Sequence, residues 1–214
     1  FGAAFVNSGQ ICMAIKRLYV QEGVYDPLVE RLATFARNAR VGNGLAPQTQ
    51  LGPVQNEAQF RIVQEFIASA RADGADFAAG GHVLDRPGYF VAPTIALGLG
   101  EGSRLVDGEP FGPVLPVMRF RTVEEGIARA NATPYGLGAS VWSDDAQRIE
   151  RVIAGLQAGT LWVNDHAAPD PMVPFGGIKQ SGQGRESGLL GLKHFMEPVS
   201  VITPRMPRAS WFVP

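Results

Sequence analysis

Short apolar runs alternate with longer amphipathic stretches through most of this chain, and that alternation restricts the fold more than any other feature. Residues 17–20, 89–97, 114–120, 138–142 and 160–164 read as strands, rich in β-formers or bounded by glycine and proline. Helical patterns separate them. The first is opened by Asp26 as N-cap and Pro27 at the first helical position, with Leu28, Leu32, Phe35 and Ala39 along one face. A second starts near Asn56, sets Phe60, Val63, Ile67 and Ala70 at helical spacing and stops at Gly74, after which Gly80-Gly81 marks a turn. Further helices are expected over 122–131, with Glu124 and Glu125 in the first turn, over 144–156 and over 185–195. Strands joined through helices of this length need crossover connections. The expected fold is therefore α/β, a largely parallel, doubly wound sheet with helices on both faces and sites beyond the carboxyl ends of its strands.

One core is the simpler reading of 214 residues, with residues 1–198 as one domain. The loosely alternating run 199–203, followed by Pro204, Pro207 and Pro214, reads as an edge strand and an extended arm over 199–214. A formal net charge of -1 gives no electrostatic footprint for nucleic acid, and no apolar run is long enough to span a membrane. These features favour a small-molecule task. The single cysteine cannot form an internal disulfide, which fits a reducing compartment and makes the cytoplasm the expected location. The chain opens at Phe1 inside a patterned segment and without Met, so it is read as the later part of a longer polypeptide.

That cysteine, Cys12, lies in F-V-N-S-G-Q-I-C-M-A-I-K-R, residues 5–17. A lone Cys beside Ile11, Met13 and Ile15 is commonly inert core. The lead-in Asn7-Ser8-Gly9-Gln10 is instead polar and turn-forming, and would bring the thiol to the end of an element where backbone N–H groups can stabilise a thiolate. Both readings stand on the residues alone. Two other stretches bear on the choice: Glu109-Pro110-Phe111-Gly112-Pro113, and Pro174-Phe175-Gly176-Gly177-Ile178-Lys179-Gln180-Ser181-Gly182 with Gly184-Arg185-Glu186. In this order the three segments resemble the active-site cysteine, E-x-F-G-P and P-F-G-G-x-K-x-S-G-x-G-R-E elements of the NAD(P)-dependent aldehyde dehydrogenase superfamily. The resemblance runs from Phe1 to about Thr203 and identifies the catalytic-domain portion.

The resemblance implies that Cys12 attacks an aldehyde carbon, that hydride passes to NAD or NADP, and that the thioester left on sulfur is hydrolysed to the acid. The backbone N–H of Cys12 would be one oxyanion donor. Glu109, which alone would read as a solvated loop acid, resembles the carboxylate that anchors the nicotinamide-ribose hydroxyls. Phe111, which alone would read as a core aromatic, resembles the ring packed near the nicotinamide. Substrate selection would fall to Ile11 and Met13 beside the cysteine, and to the loop 165–173 with Asp165 and His166, leading to Phe175 as an apolar wall. Pro169 and Pro171 should stiffen that loop, and Trp162 and Asn164 should hold it in position. His166 reads as an incidental loop residue, Lys179 and Arg185 as parts of a structural turn, and Phe175 has core packing as its other reading. The three histidines show no metal-ligand spacing, so no metal is expected.

The resemblance further implies an N-terminal cofactor-binding domain, a second oxyanion donor and the general base, all upstream of these 214 residues. The chain by itself is accordingly expected to lack dehydrogenase activity, and the whole protein to be a homodimer or homotetramer. The alternative is a chain without redox chemistry, an assembly module or a vestigial thiol esterase.

Overall fold

The computed structural model describes residues 1–168 and 170–205. In chain order its elements are α1 (Gly2–Phe5), a 3-10 turn (Val6–Gly9), β1 (Leu18–Gln21), α2 (Glu22–Asn38), α3 (Glu57–Ala72), β2 (Asp76–Ala79) and β3 (Thr94–Leu97). There follow α4 (Arg104–Asp107), β4 (Val114–Phe120), α5 (Val123–Asn131), β5 (Gly138–Val141), α6 (Ala146–Gly155), β6 (Thr160–Val163), a 3-10 turn (Lys179–Ser181) and α7 (Gly188–Lys193). Four strands form a sheet in the order β1-β4-β3-β2, and β5 and β6 form a separate parallel pair. Strands β1 and β3 both run parallel to β4, whereas β2 is antiparallel to β3. The sheet is thus largely parallel, as the alternation of elements requires.

Both faces of the larger sheet are covered. Ile95, Leu115 and Val117 pack with Leu32, Ala33 and Ala36 of α2, while Ala96 and Val114 pack with Val63, Phe66, Ile67 and Ala70 of α3. Alternate residues of β3 and β4 serve opposite layers, so neither strand has a polar face. Helices α3 and α5 begin where the sequence puts them, and each is capped there: Asn56 Oδ1 accepts from Gln59 N–H at 2.8 Å, and Thr122 Oγ1 accepts from Glu125 N–H at 3.2 Å.

Tertiary contacts displace several expected boundaries. Asp26 does not cap α2; the helix begins at Glu22 and Pro27 lies within it. Tyr25 explains the difference, because its ring is buried and its hydroxyl donates to Val117 O at 3.1 Å, anchoring a turn of helix ahead of the proline. Asp26 pairs with Arg119 instead. Phe35 lies 60% exposed rather than in the core, its ring stacked on Phe1 at 5.9 Å. The run 89–97 is a ladder only from Thr94, since Pro93 interrupts it, and Val91 keeps an isolated bridge to Val83. The short antiparallel strand β2 has no counterpart in the sequence reading. Its Asp-Phe-Ala-Ala run is weakly β-forming, and it is held by β3 and by Thr94, whose buried hydroxyl accepts from Gly81 N–H and donates to Ala92 O, each at 2.8 Å. The helix expected over 185–195 shrinks to α7 because Glu186 exchanges two backbone hydrogen bonds with Phe175, each 2.8 Å, and Ser187 turns left-handed at φ 62°.

The expected edge strand over 199–203 makes no ladder in this chain. Val199, Val201 and Ile202 are 84%, 87% and 77% exposed. Pro169, Pro207 and Pro214, to which the loop and arm readings referred, lie outside the described residues. Among the described residues, no helix is long and apolar enough to cross a membrane.

The double-sided core gives a direct test. Ile95 has no exposed surface, so Ile95→Ala should cost about 2–5 kcal/mol in urea unfolding of the protein carrying this chain. A loss below about 1 kcal/mol would show that β3 is not the centre of this core.

Candidate active site

The cysteine segment is shaped by three successive left-handed residues, Asn7, Ser8 and Gly9, at φ 49°, 55° and 75°. Asn and Gly adopt this conformation readily, while a Ser needs support. Ser8 receives it by burial and by donating its hydroxyl to Gly52 O at 2.8 Å. Gln10 fastens the same side: its Oε1 accepts from Gln55 N–H at 2.9 Å, and its Nε2 donates to Asn7 O at 3.1 Å and Pro53 O at 3.3 Å. The chain then turns again through Ile11 to Ala14, with Ala14 N–H donating to Ile11 O at 3.1 Å. Cys12 sits in that second turn with an exposed thiol. The inert-core reading of Cys12 is thereby removed.

Beneath this turn lies the 109–113 segment. A Cβ on Gly9 would meet the carbonyl oxygen of Gly112 at 2.4 Å, and a Cβ on Gly112 would meet Val63 of α3 at 2.4 Å. Both positions therefore require glycine, and the cysteine turn rests on backbone that itself rests on α3. Phe111 is held at φ 41°, an unusual conformation for a bulky residue. Gln59 of α3 supports it by donating its side-chain amide to Pro110 O at 2.7 Å and Phe111 O at 3.3 Å. Lys16 connects the two segments: its ammonium donates to Gly9 O at 2.6 Å and Ile11 O at 3.0 Å, and lies 4.2 Å from the centroid of the Phe111 ring. Desolvation lowers the Lys16 pKa to about 8, against the opposing pull of Glu109 and Cys12.

On the other side, His166 is joined to the turn. Its Nε2 lies 2.7 Å from Met13 O and its Nδ1 3.0 Å from Ser140 Oγ, an arrangement met by an Nε2–H that donates to the carbonyl. His166 is thus a structural link between β5, the 165–173 loop and the cysteine turn, not an incidental loop residue. Trp162 holds this loop as expected, donating Nε1–H to Ala168 O at 3.3 Å, with its ring centroid 4.9 Å from that of His166 and 6.5 Å from that of Phe175. Asn164 exchanges two hydrogen bonds with the backbone of Ser143, at 2.9 and 3.0 Å. Asp165 is exposed and accepts from His166 N–H at 2.7 Å. Lys179 and Arg185 spend their side chains on backbone carbonyls, which fits the structural turn read from the sequence.

Two clefts flank the turn. One, of about 430 Å³, is lined by Asn7, Gln10, Pro53, Gln55, Gln59 and Phe111. The other, of about 500 Å³, includes Phe5, Leu51, His166 and Ala167 in its lining. The first combines amide groups with one aromatic face, and Glu109, two residues before Phe111, is exposed. Such a lining suits a polar ligand carrying a flat ring. The sequence reading leaves out Lys16 and Gln59. The signal for Lys16 is a cation set between Ile15 and a strand; Gln59 has none beyond its helical position.

An exposed cysteine on a turn that follows three left-handed residues, braced from one side by an E-P-F-G-P segment, defines a thiol-centred site on an α/β sheet. Residues 1–201 match the aldehyde dehydrogenase family, and the chain belongs to it. Betaine aldehyde dehydrogenase of Cereibacter sphaeroides is 43% identical over 92% of this chain and 41% of its own length. Human mitochondrial aldehyde dehydrogenase is 39% identical over 96% and 40%. Among solved structures, betaine aldehyde dehydrogenase of Staphylococcus aureus in complex with NAD+ superposes with a TM-score of 0.94 at 34% identity, over 99% of this chain and 43% of that one. The NAD-dependent aldehyde dehydrogenase of Sinorhizobium meliloti gives 0.95 at 35% identity. The chain therefore spans about 41% of the length of the curated relatives it matches.

The contact of Gly9 with Gly112 can be tested by Gly9→Ala. A Cβ there adds left-handed strain to a clash with backbone, and should destabilise the protein by at least ~2 kcal/mol and alter the alkylation rate of Cys12. Unchanged stability and unchanged thiol reactivity would show that the turn does not rest on Gly112.

Proposed function

We propose that this chain is the cysteine-bearing catalytic portion of an NAD(P)-dependent aldehyde dehydrogenase that oxidises an aldehyde to a carboxylic acid. The observation that carries the reading is the exposed Cys12 at a fixed turn in a chain of this family. Cys12 as thiolate adds to the aldehyde carbon, forming the C–S bond while the carbonyl π electrons move to oxygen. The backbone N–H of Cys12 donates to that oxyanion. NAD(P)+, when bound, would supply the acceptor for the hydride of the substrate carbon; with that hydride lost the carbon–oxygen double bond would re-form, leaving the acyl group on Cys12 as a thioester. Water then displaces Cys12, giving the acid and restoring the thiol.

The amide-lined cleft beside Phe111 supports a nicotinamide cofactor, for which Glu109 would be the acceptor toward ribose hydroxyls and Phe111 the ring toward the nicotinamide. Ile11, Met13, Asp165, His166 and Phe175 are assigned to the substrate side. In this assignment Phe175 offers an apolar wall through its contact with Trp162, and His166 sets the position of Met13 through the carbonyl it holds. The family resemblance supports a homo-oligomer in which the exposed 199–203 run pairs with a neighbouring subunit, and supports further residues of the reaction in parts of the protein beyond this chain.

In the whole protein carrying this chain, Cys12→Ala should abolish aldehyde-dependent formation of NAD(P)H while leaving the fold intact by circular dichroism. Retained turnover would sink the proposed mechanism. Glu109→Gln should lower turnover by about tenfold or more, through misplacement of the cofactor and not through loss of the thiol. Unchanged cofactor kinetics would remove the role given to Glu109.

A further inference from the structure

Lys16 follows an apolar residue and precedes a strand, yet its side chain does not run out to water as an incidental surface lysine would. Its ammonium is gripped from two segments of chain. The carbonyls of Gly9 and Ile11 flank Gln10, and the second belongs to the residue that leads into Cys12; the Phe111 ring belongs to the segment beneath. A compact ammonium with three N–H groups can donate to both carbonyls and still face the ring, which a planar guanidinium or a thioether would do less well.

We propose that Lys16 is a positioning residue for the reaction of Cys12: its ammonium locks the Gly9–Ile11 backbone to the Phe111 ring, and its charge favours the thiolate over the thiol. The inference rests on the reading of Cys12 as nucleophile. The ionisable groups whose charge acts on Lys16 are the Glu109 carboxylate and the Cys12 thiol. Burial pulls the amine toward its neutral form while both of these pull it back, and the balance at about 8 keeps it mainly cationic at neutral pH. The attraction is reciprocal. An ammonium that a thiolate stabilises lowers the free energy of that thiolate by the same amount. The sign follows: the support is present while Lys16 is charged, below about pH 8, and is lost as the amine deprotonates above it.

The test is the pH dependence of Cys12 alkylation by iodoacetamide in the whole folded protein, with the modified site identified by mass spectrometry. Lys16→Met should slow alkylation at pH 7 several-fold and move the midpoint of the rate profile to higher pH, because the rate follows the thiolate fraction. Lys16→Arg, which keeps the charge, should keep the midpoint of the profile near that of the wild type. A purely structural lysine predicts equal slowing at every pH with no change of midpoint, and that result overturns the proposal. So does a folded Lys16→Met protein that alkylates like the wild type. If Lys16→Met does not fold, Lys16→Gln takes its place, and competitive acetylation of the wild type gives an independent reading, expected to titrate Lys16 near 8; a midpoint at the ordinary 10.5 overturns the proposal. A wild-type Cys12 that resists alkylation in the folded protein overturns the nucleophile reading itself, whereas labelling indifferent to Lys16 overturns only the role of the lysine.

Discussion

The contact on which the site depends is the backbone of Gly9 lying against the backbone of Gly112. Neither residue tolerates a Cβ, one because of the carbonyl it meets and the other because of Val63 on α3. Val63 is fully buried and its helix covers one face of the sheet. A turn carrying the proposed nucleophile cannot be positioned by the few residues that lead into it, whose left-handed dihedrals cost free energy rather than supplying it. Its place is set by stacking on an element that leads straight into β4, the strand bonded on both sides to parallel neighbours. The exposed thiol thus inherits the rigidity of the best-packed part of the molecule.

The parts of this arrangement visible in the sequence are those whose cause is local. Asn56 and Thr122 cap helices because short polar side chains reach their own backbone, and β4 is strand because its apolar run is too short and too flanked by proline for a helix. The motifs around Cys12, Glu109 and Phe175 were legible through their order along the chain. What the sequence hides has distant causes. Strand β2 exists because β3 and Thr94 hold it, α2 starts early because Tyr25 reaches Val117, and α7 is short because Glu186 is taken up by Phe175. The same holds for site residues. Lys16 and His166 lie near motif positions, but their roles depend on carbonyls and rings brought to them by the fold.

These two residues constrain the cysteine turn from opposite sides and in different currencies. His166 holds the carbonyl of Met13, one peptide beyond Cys12, and Lys16 holds the carbonyl of Ile11, in the peptide that leads into it. Lys16 restrains the peptide that enters Cys12 and His166 the peptide after Met13, so the turn that carries the thiol is tied on both sides by bonds anchored in separate parts of the structure. Loop 165–173 carries one anchor, and the 109–113 segment braces the other through Phe111. In the proposed enzyme these are the substrate side and the cofactor side. A nucleophile shared between two binding surfaces must keep one orientation while each is occupied in turn, and a single anchor would let it follow whichever ligand moved it.

The anchors also differ in what a change of charge does to them. The imidazole of His166 can satisfy Met13 O and Ser140 Oγ whether neutral or protonated, because the hydroxyl can reverse its role as donor. Lys16 has no such freedom. Losing its proton leaves two N–H groups for the same two carbonyls, so the geometry survives, but the cation over Phe111 is gone. Position and charge are therefore separable at this site: His166 contributes only the first, whereas Lys16 contributes the first at all pH and the second only while it is protonated. That separation follows from placing a lysine, rather than an arginine that would never titrate, where burial has brought its pKa close to the physiological range.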